Sequence, residues 1–84
     1  MNIDEIKERL NAYFTSDKVE VFDSRGTGDH FSVIVISEKF INVSLVDRHR
    51  MIYSIFEDKI VIDIHALQIQ AYTLEEWKKK KISN

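Results

Sequence analysis

Three histidines are the residues of this chain best suited to bind a metal, and two of them stand where predicted strands begin. His30 closes the loop DSRGTGDH ahead of the apolar run FSVIVIS, and His65 lies in the stretch IHALQIQAYT. A neutral imidazole is a common ligand of zinc, copper and iron. The chain has no cysteine, so it offers a metal no thiolate and forms no disulfide. His30 and His65 are therefore either a pair of ligands or two separate strand-end residues.

Length and composition are typical of one small globular domain spanning residues 1–84. The chain is 44% hydrophobic and 31% charged, with a formal net charge of −2. Dedicated DNA-binding domains usually carry a basic surplus, so bulk electrostatic capture of nucleic acid is disfavoured. No apolar run approaches the roughly 20 residues of a membrane helix. The start MNIDEIKERL lacks secretory or transit-peptide character, and we expect a cytoplasmic protein without a membrane partner.

Hydrophobic periodicity predicts two helices and three strands that must position the histidines. Apolar residues recur at helical spacing through 3–14, which indicates an N-terminal helix within residues 1–15. Residues 18–22 and 31–37 are typical of strands, and the second is β-branched enough to predict burial on both faces. The glycines between them predict a long-looped antiparallel hairpin. Residues 67–72 return to period two and predict a third strand.

The central helix is predicted to begin at Ser44, because Ser44 followed by Asp47 is a capping-box signature. Its apolar stripe is predicted to run through Leu45, His49, Ile52 and Phe56 over about four turns. The stripe would make His49 a core or boundary residue that donates to a backbone carbonyl.

A final short helix is predicted from Thr73 and Glu76, which cap it, and it carries Trp77. A basic tail, residues 78–84, follows it.

These elements in the order αββαβα predict an α/β (α+β) fold. A strand–helix–strand crossover is normally right-handed, which makes the second and third strands parallel. The expected architecture is a three-stranded mixed sheet covered by helices on one face. Parallel strands place His30 and His65 at the same edge of that sheet. The expected core residues are Ile6, Leu10, Val33, Val35, Ile52, Phe56 and Leu67.

Three longer segments together resemble the BolA family. They are VIVISEKF, SLVDRHRMIYSIF and IHALQIQAYTLEEW, in the family's order and at nearly its spacing, and the resemblance covers roughly residues 16–78. It implies an α/β fold likened to a type II KH domain, which agrees with the order predicted from periodicity.

The resemblance also implies a function and a set of metal ligands. Members of the family bind monothiol glutaredoxins and share a [2Fe–2S] cluster with them and with glutathione, in iron–sulfur trafficking or iron-dependent regulation. His65 matches the family's most dependable cluster ligand. Thr27 stands where some members have a loop cysteine, and His30 matches members with a histidine before the strand's aromatic residue. Asn42 replaces a glycine usual in the family, in a turn where asparagine tolerates the left-handed conformation.

An alternative function implied by the resemblance is DNA-binding transcription regulation. Its candidate contacts are Arg48 and Arg50, predicted to face outward, and the lysines Lys78, Lys79, Lys80 and Lys81. These cations are either ordinary solvated residues or contacts to a partner's acids, a glutathione carboxylate or phosphate. The segment INVS is not the GxxG of a KH domain, and we expect no aromatic-rich basic face, so any DNA binding should be weak and salt-sensitive.

Enzymatic functions receive little support from the residues. RGTGDH lacks the lysine and following helix of a P-loop, and no nucleophile accompanies the Asp–His neighbours. Composition allows zinc ligation by three histidines and an aspartate, although no H-x₃-H spacing supports it. We expect a non-enzymatic chain that is monomeric and folded without metal.

Overall fold

The computed structural model of the chain describes residues 1–15, 17–60, 64 and 66–82. Residue 82 is described through its backbone only. It contains three α-helices and three strands: α1 (Ile3–Tyr13), β1 (Lys18–Asp23), β2 (His30–Ile36), α2 (Leu45–Ile55), β3 (Ala66–Tyr72) and α3 (Leu74–Ile82). A 3₁₀ turn, Glu38–Phe40, lies between β2 and α2. The predicted order αββαβα is therefore confirmed.

Side-chain caps start each α-helix where the sequence predicted. Asn2 Oδ1 accepts from the Glu5 N–H at 2.9 Å at the start of α1. Ser44 Oγ accepts from the Asp47 N–H at 3.2 Å at the start of α2. At α3 the box is reciprocal, because Thr73 Oγ1 accepts from the Glu76 N–H while Glu76 Oε1 accepts from the Thr73 N–H.

The sheet has the order β1-β2-β3 and the mixed directions expected. β1 and β2 are antiparallel, and β2 and β3 are parallel from the pair His30–Ala66 to the pair Ile36–Tyr72. Gly26 and Gly28 take positive φ values of 70° and 76° in the hairpin loop, and Asn42 takes 62° in the turn before α2. The sequence predictions for these turns are confirmed.

Helices α1 and α2 cover one face of the sheet, α1 over β1 and α2 over β3. The core between them contains all the expected residues except Leu67, which is only partly buried. In β2, Phe31, Val33 and Val35 are buried while Ser32 and Ile34 are half-buried. The expected burial of both faces is therefore met at Ile36, which is 5% exposed on the second face, but not at Ser32 and Ile34, because α1 and α2 pack on the other face.

Helix α2 is shorter than predicted and turned about its axis. It has 11 residues, and its buried residues are Arg48 and Ile52. Leu45, expected in the apolar stripe, is 66% exposed, and His49 is also exposed. The placement of His49 in the core or at its boundary was wrong, because the inward position one residue earlier is taken by Arg48.

Helix α3 lies at the end of the sheet where β2 and β3 finish. The Trp77 and Tyr72 rings pack with centroids 5.5 Å apart. Tyr72 alternates with the buried Ala71, so this contact is made on the face opposite the core. No helix among the described residues is both long and apolar enough to cross a membrane.

Candidate functional site

His30 lies at the first position of the central strand, where the hairpin loop enters the sheet. Its side chain is 22% exposed, and Nδ1 lies 2.8 Å from Asp29 Oδ1. The Thr27 hydroxyl donates to the same carboxylate oxygen. Because an ionised carboxylate only accepts hydrogen bonds, this contact favours a ring that carries a proton on Nδ1. An imidazole oriented by a carboxylate in this way is typical of metal-ligating histidines.

Backbone hydrogen bonds fix the loop that carries Asp29 and His30. The Ser24 N–H donates to the His30 carbonyl at 2.8 Å, and the Ala66 N–H donates to the Asp29 carbonyl at 3.2 Å. The Gly28 N–H donates to Asp23 Oδ2 at 2.9 Å. The candidate ligand is thus held by both neighbouring strands.

The second predicted ligand, His65, lies outside the described residues. In the chain it is bonded to Ala66, which pairs with His30 in the parallel register. Within the described part of the chain, no three His, Asp or Glu side chains come together as a metal-binding group. Of the two predicted ligands, His30 is therefore the one whose geometry the structure describes, together with its contact to Asp29.

Arg48 does not face outward as predicted. Its guanidinium donates to Glu76 Oε1 and Oε2 at 2.6 and 3.2 Å, and to the carbonyls of Val43 and Ala71 at 2.9 and 3.2 Å. The Arg48 side chain is 7% exposed. The predicted contact of Arg48 with a phosphate or a partner required an outward-facing guanidinium. In the structure the hydrogen bonds of Arg48 instead join α2 to β3 and α3.

The same contacts perturb the acidic partner. Hydrogen bonding from Arg48, aided by the Thr73 N–H, lowers the pKa of Glu76 to about 2. Glu76 is therefore ionised at neutral pH and compensates the buried guanidinium.

The other predicted cations are at the surface. Arg50 is 78% exposed beside Asp47, with a shortest N···O distance of 3.6 Å. The lysines of the predicted tail belong to α3, which extends to Ile82, while Ser83 and Asn84 lie outside the described residues. Lys79 Nζ lies 3.4 Å from Glu75.

An aromatic and basic surface, which we did not expect, forms around α3. Lys81 Nζ lies 5.1 Å from the Trp77 ring centroid, and Lys80 Nζ lies 5.6 Å from that of Tyr72. Lys18 Nζ, from β1, lies 6.0 Å from Trp77. The spacing of Lys80 and Lys81, three and four residues after Trp77, was the available sequence signal because it places them on one helical face with it.

Comparison with known proteins finds relatives over most of the chain. The family profile described as BolA-like protein matches residues 7–76. The DNA-binding transcriptional regulator BolA of Escherichia coli is 35% identical over 87% of this chain and 76% of its own length. Protein BOLA2 of Arabidopsis thaliana is 41% identical over 86% of this chain and 83% of its own. The crystal structure of a bol-like protein from Babesia bovis has a TM-score of 0.83 at 26% identity, covering 96% of this chain and 94% of its own.

Proposed function

This chain belongs to the BolA-like protein family, and from that membership we propose that it binds a monothiol glutaredoxin and shares a [2Fe–2S] cluster with it. The family is one of regulators and binding proteins, so the proposed role is non-enzymatic. The role would be cluster trafficking or iron-dependent regulation. The observation that supports the cluster most is the Asp29–His30 pair.

The donor atoms of the chain define its share of the cluster. With no cysteine, it supplies only non-thiolate ligands. A [2Fe–2S] cluster takes four protein-side ligands, so the glutaredoxin and its glutathione would provide two sulfurs and this chain two nitrogens. His30 fits that role, because the carboxylate of Asp29 orients the imidazole ring through Nδ1, as carboxylates do for ligating histidines. His65 would be the other nitrogen ligand. When bound, the cluster supplies a one-electron redox centre whose potential imidazole ligands raise.

The proposal is tested by mixing the purified chain with a monothiol glutaredoxin that carries its cluster. We expect a stable heterodimer and altered visible absorption and circular dichroism spectra, because imidazole nitrogens replace the previous ligands of one iron. His65→Ala should abolish the new spectrum and His30→Ala should weaken cluster retention. His49→Ala removes an exposed histidine of α2 and is the matched control, which should retain the spectrum.

Two results would contradict the proposal. One is a failure of the two proteins to associate. The other is a heterodimer whose spectrum and cluster lifetime are the same in His30→Ala, His65→Ala and the unsubstituted chain.

A second candidate function, DNA-dependent regulation, is supported by relatives named as DNA-binding transcriptional regulators in Escherichia coli, Vibrio cholerae and Haemophilus influenzae. The exposed cations Arg50 and Lys78 to Lys81 are its candidate contacts. Duplex binding should be weak, fall steeply as salt rises, and decrease on charge reversal at these positions. An affinity insensitive to both changes would exclude this function.

A further inference from the structure

The face of the sheet opposite α1 and α2 carries Gln68, Gln70 and Tyr72 on β3, and Ser32, Ile34 and Ile36 on β2. Ser32 Oγ donates to Gln68 Oε1 at 2.9 Å, and the Tyr72 hydroxyl donates to Gln70 Oε1 at 3.0 Å. Both glutamines are exposed, and these bonds engage the oxygen of each amide. Each of these exposed amides also has two N–H donors, which are groups that can hydrogen-bond an unpaired base.

Aromatic rings lie at opposite corners of this face. Tyr72 and Trp77 form one cluster, and Phe22, 50% exposed, lies on β1 in register with Ser32 and through it with Gln68. Phe22 lies four residues along β1 from Lys18, a distance of about 13 Å. Strand β1 lies two strand spacings, or about 10 Å, from β3. The two aromatic corners are thus separated by a strip that a few nucleotides would span.

Positive charge accompanies the Tyr72–Trp77 corner. Lys18, Lys80 and Lys81 approach the two rings from two different elements, at the distances given above. Glu20, the acid that β1 contributes to the same face, lies 3.5 Å from Lys18. In a chain of net charge −2, this local excess of cations beside aromatic rings complements a phosphate backbone whose bases stack on the rings.

We propose that the open face of the sheet binds single-stranded nucleic acid, with bases stacked on Trp77, Tyr72 and Phe22. A base would replace a lysine ammonium over a ring face, and the ammonium would pair with the adjoining phosphate. A duplex would bind this face poorly, because its bases are stacked on one another and do not present their faces. This surface requires neither the cluster nor a glutaredoxin.

The test uses the fluorescence of Trp77, the one tryptophan of the sequence, in the full apo chain. Titration with a short oligothymidylate should quench the emission saturably, with an affinity that falls as salt rises. Phe22→Ala should reduce the affinity about fivefold or more, the loss expected for one stacked base. Lys81→Glu should also reduce it. Lys7→Glu makes the same charge change on α1, which covers the opposite face, and should alter the affinity less than about twofold.

Circular dichroism and thermal melting establish that each variant is folded, which is expected because Phe22, Lys81 and Lys7 are exposed. Absence of saturable quenching would overturn the proposal. So would equal affinity for a duplex of the same length, equal losses in Lys81→Glu and Lys7→Glu, or an unchanged affinity in Phe22→Ala. None of these results bears on the cluster proposal, since no glutaredoxin is present.

Discussion

At the scale of single residues, Arg48 and Glu76 form the ion pair that joins α2 to the start of α3. The arginine side chain is 7% exposed and the glutamate 45%, so removing the glutamate leaves a nearly buried guanidinium short of acceptors. Because one partner is part-exposed, the loss is smaller than for a fully buried pair.

We expect Glu76→Gln to lower the free energy of unfolding by about 1–3 kcal/mol at pH 7. The folded-state pKa of Glu76, about 2, lies below its ordinary value of 4.5. Its stabilising contribution is therefore complete above pH 4.5 and is lost as the pH falls from 4.5 towards 2. Urea unfolding at pH 7 and pH 3 measures both effects. The control variant Glu75→Gln changes the exposed neighbouring glutamate, which pairs with Lys79, and should cost less than about 0.5 kcal/mol. An equal cost for Glu75→Gln and Glu76→Gln would show that the Arg48–Glu76 pair does not stabilise the fold more than an exposed pair does.

The carboxylate of Asp29 positions the His30 ring through Nδ1. Asp29→Asn keeps the shape of the side chain but removes its charge. Cluster release from the proposed heterodimer should then be about 10–100-fold faster, the usual effect of losing a carboxylate that orients a ligating histidine. Thr27→Ala, which leaves the Asp29–His30 bond in place, should have a smaller effect. Release rates followed by visible absorption would refute the role of Asp29 if Asp29→Asn released the cluster no faster than the unsubstituted chain.

At the scale of elements, the turn of α2 about its axis separates its core residues from its surface residues. Ile52 and Phe56 are fully buried, whereas Leu45 is largely exposed. Ile52→Ala and Phe56→Ala should each cost about 2–5 kcal/mol in urea unfolding, because each leaves a cavity. Leu45→Ala is the matched control and should change stability by no more than about 0.5 kcal/mol. Comparable losses in Leu45→Ala and Ile52→Ala would mean that the stripe lies where periodicity alone placed it.

The rotation of α2 also shows where sequence reasoning was sufficient and where it was not. Local signals predicted the three helix caps, the glycine turns and the alternation of β3, because each depends on residues a few positions apart. Periodicity placed Leu45 and His49 inward because it treats an arginine as a surface residue. The partner that allows Arg48 to be buried is Glu76, 28 residues later, and no local pattern identifies that pair.

The candidate sites also combine residues that the sequence predicts with contacts that only the fold determines. The sequence predicts His30 as a ligand, and that stays a prediction, whereas the contact of its ring with Asp29 follows from the loop conformation. The basic run 78–81 was visible, whereas its approach to Tyr72 and Trp77 depends on how α3 meets the sheet.

At the scale of the whole molecule, the core and the proposed ligand site are separate. The buried cluster lies between one face of the sheet and helices α1 and α2, while His30 lies at the entrance to β2, outside that cluster. We therefore expect the apo chain to stay folded when a chelator is added, and His30 variants to retain the circular dichroism spectrum of the fold. This separation allows ligand variants to report on cluster chemistry and not on folding.

Pulsed electron paramagnetic resonance can detect directly whether this chain gives imidazole nitrogens to a shared [2Fe–2S] cluster. The chain is labelled with ¹⁵N-histidine, combined with an unlabelled glutaredoxin that carries the cluster, and the cluster is reduced by one electron. We expect two strongly coupled ¹⁵N nuclei, one of them lost in His30→Ala and the other in His65→Ala. A reduced cluster in the heterodimer with no strongly coupled ¹⁵N would contradict this expectation.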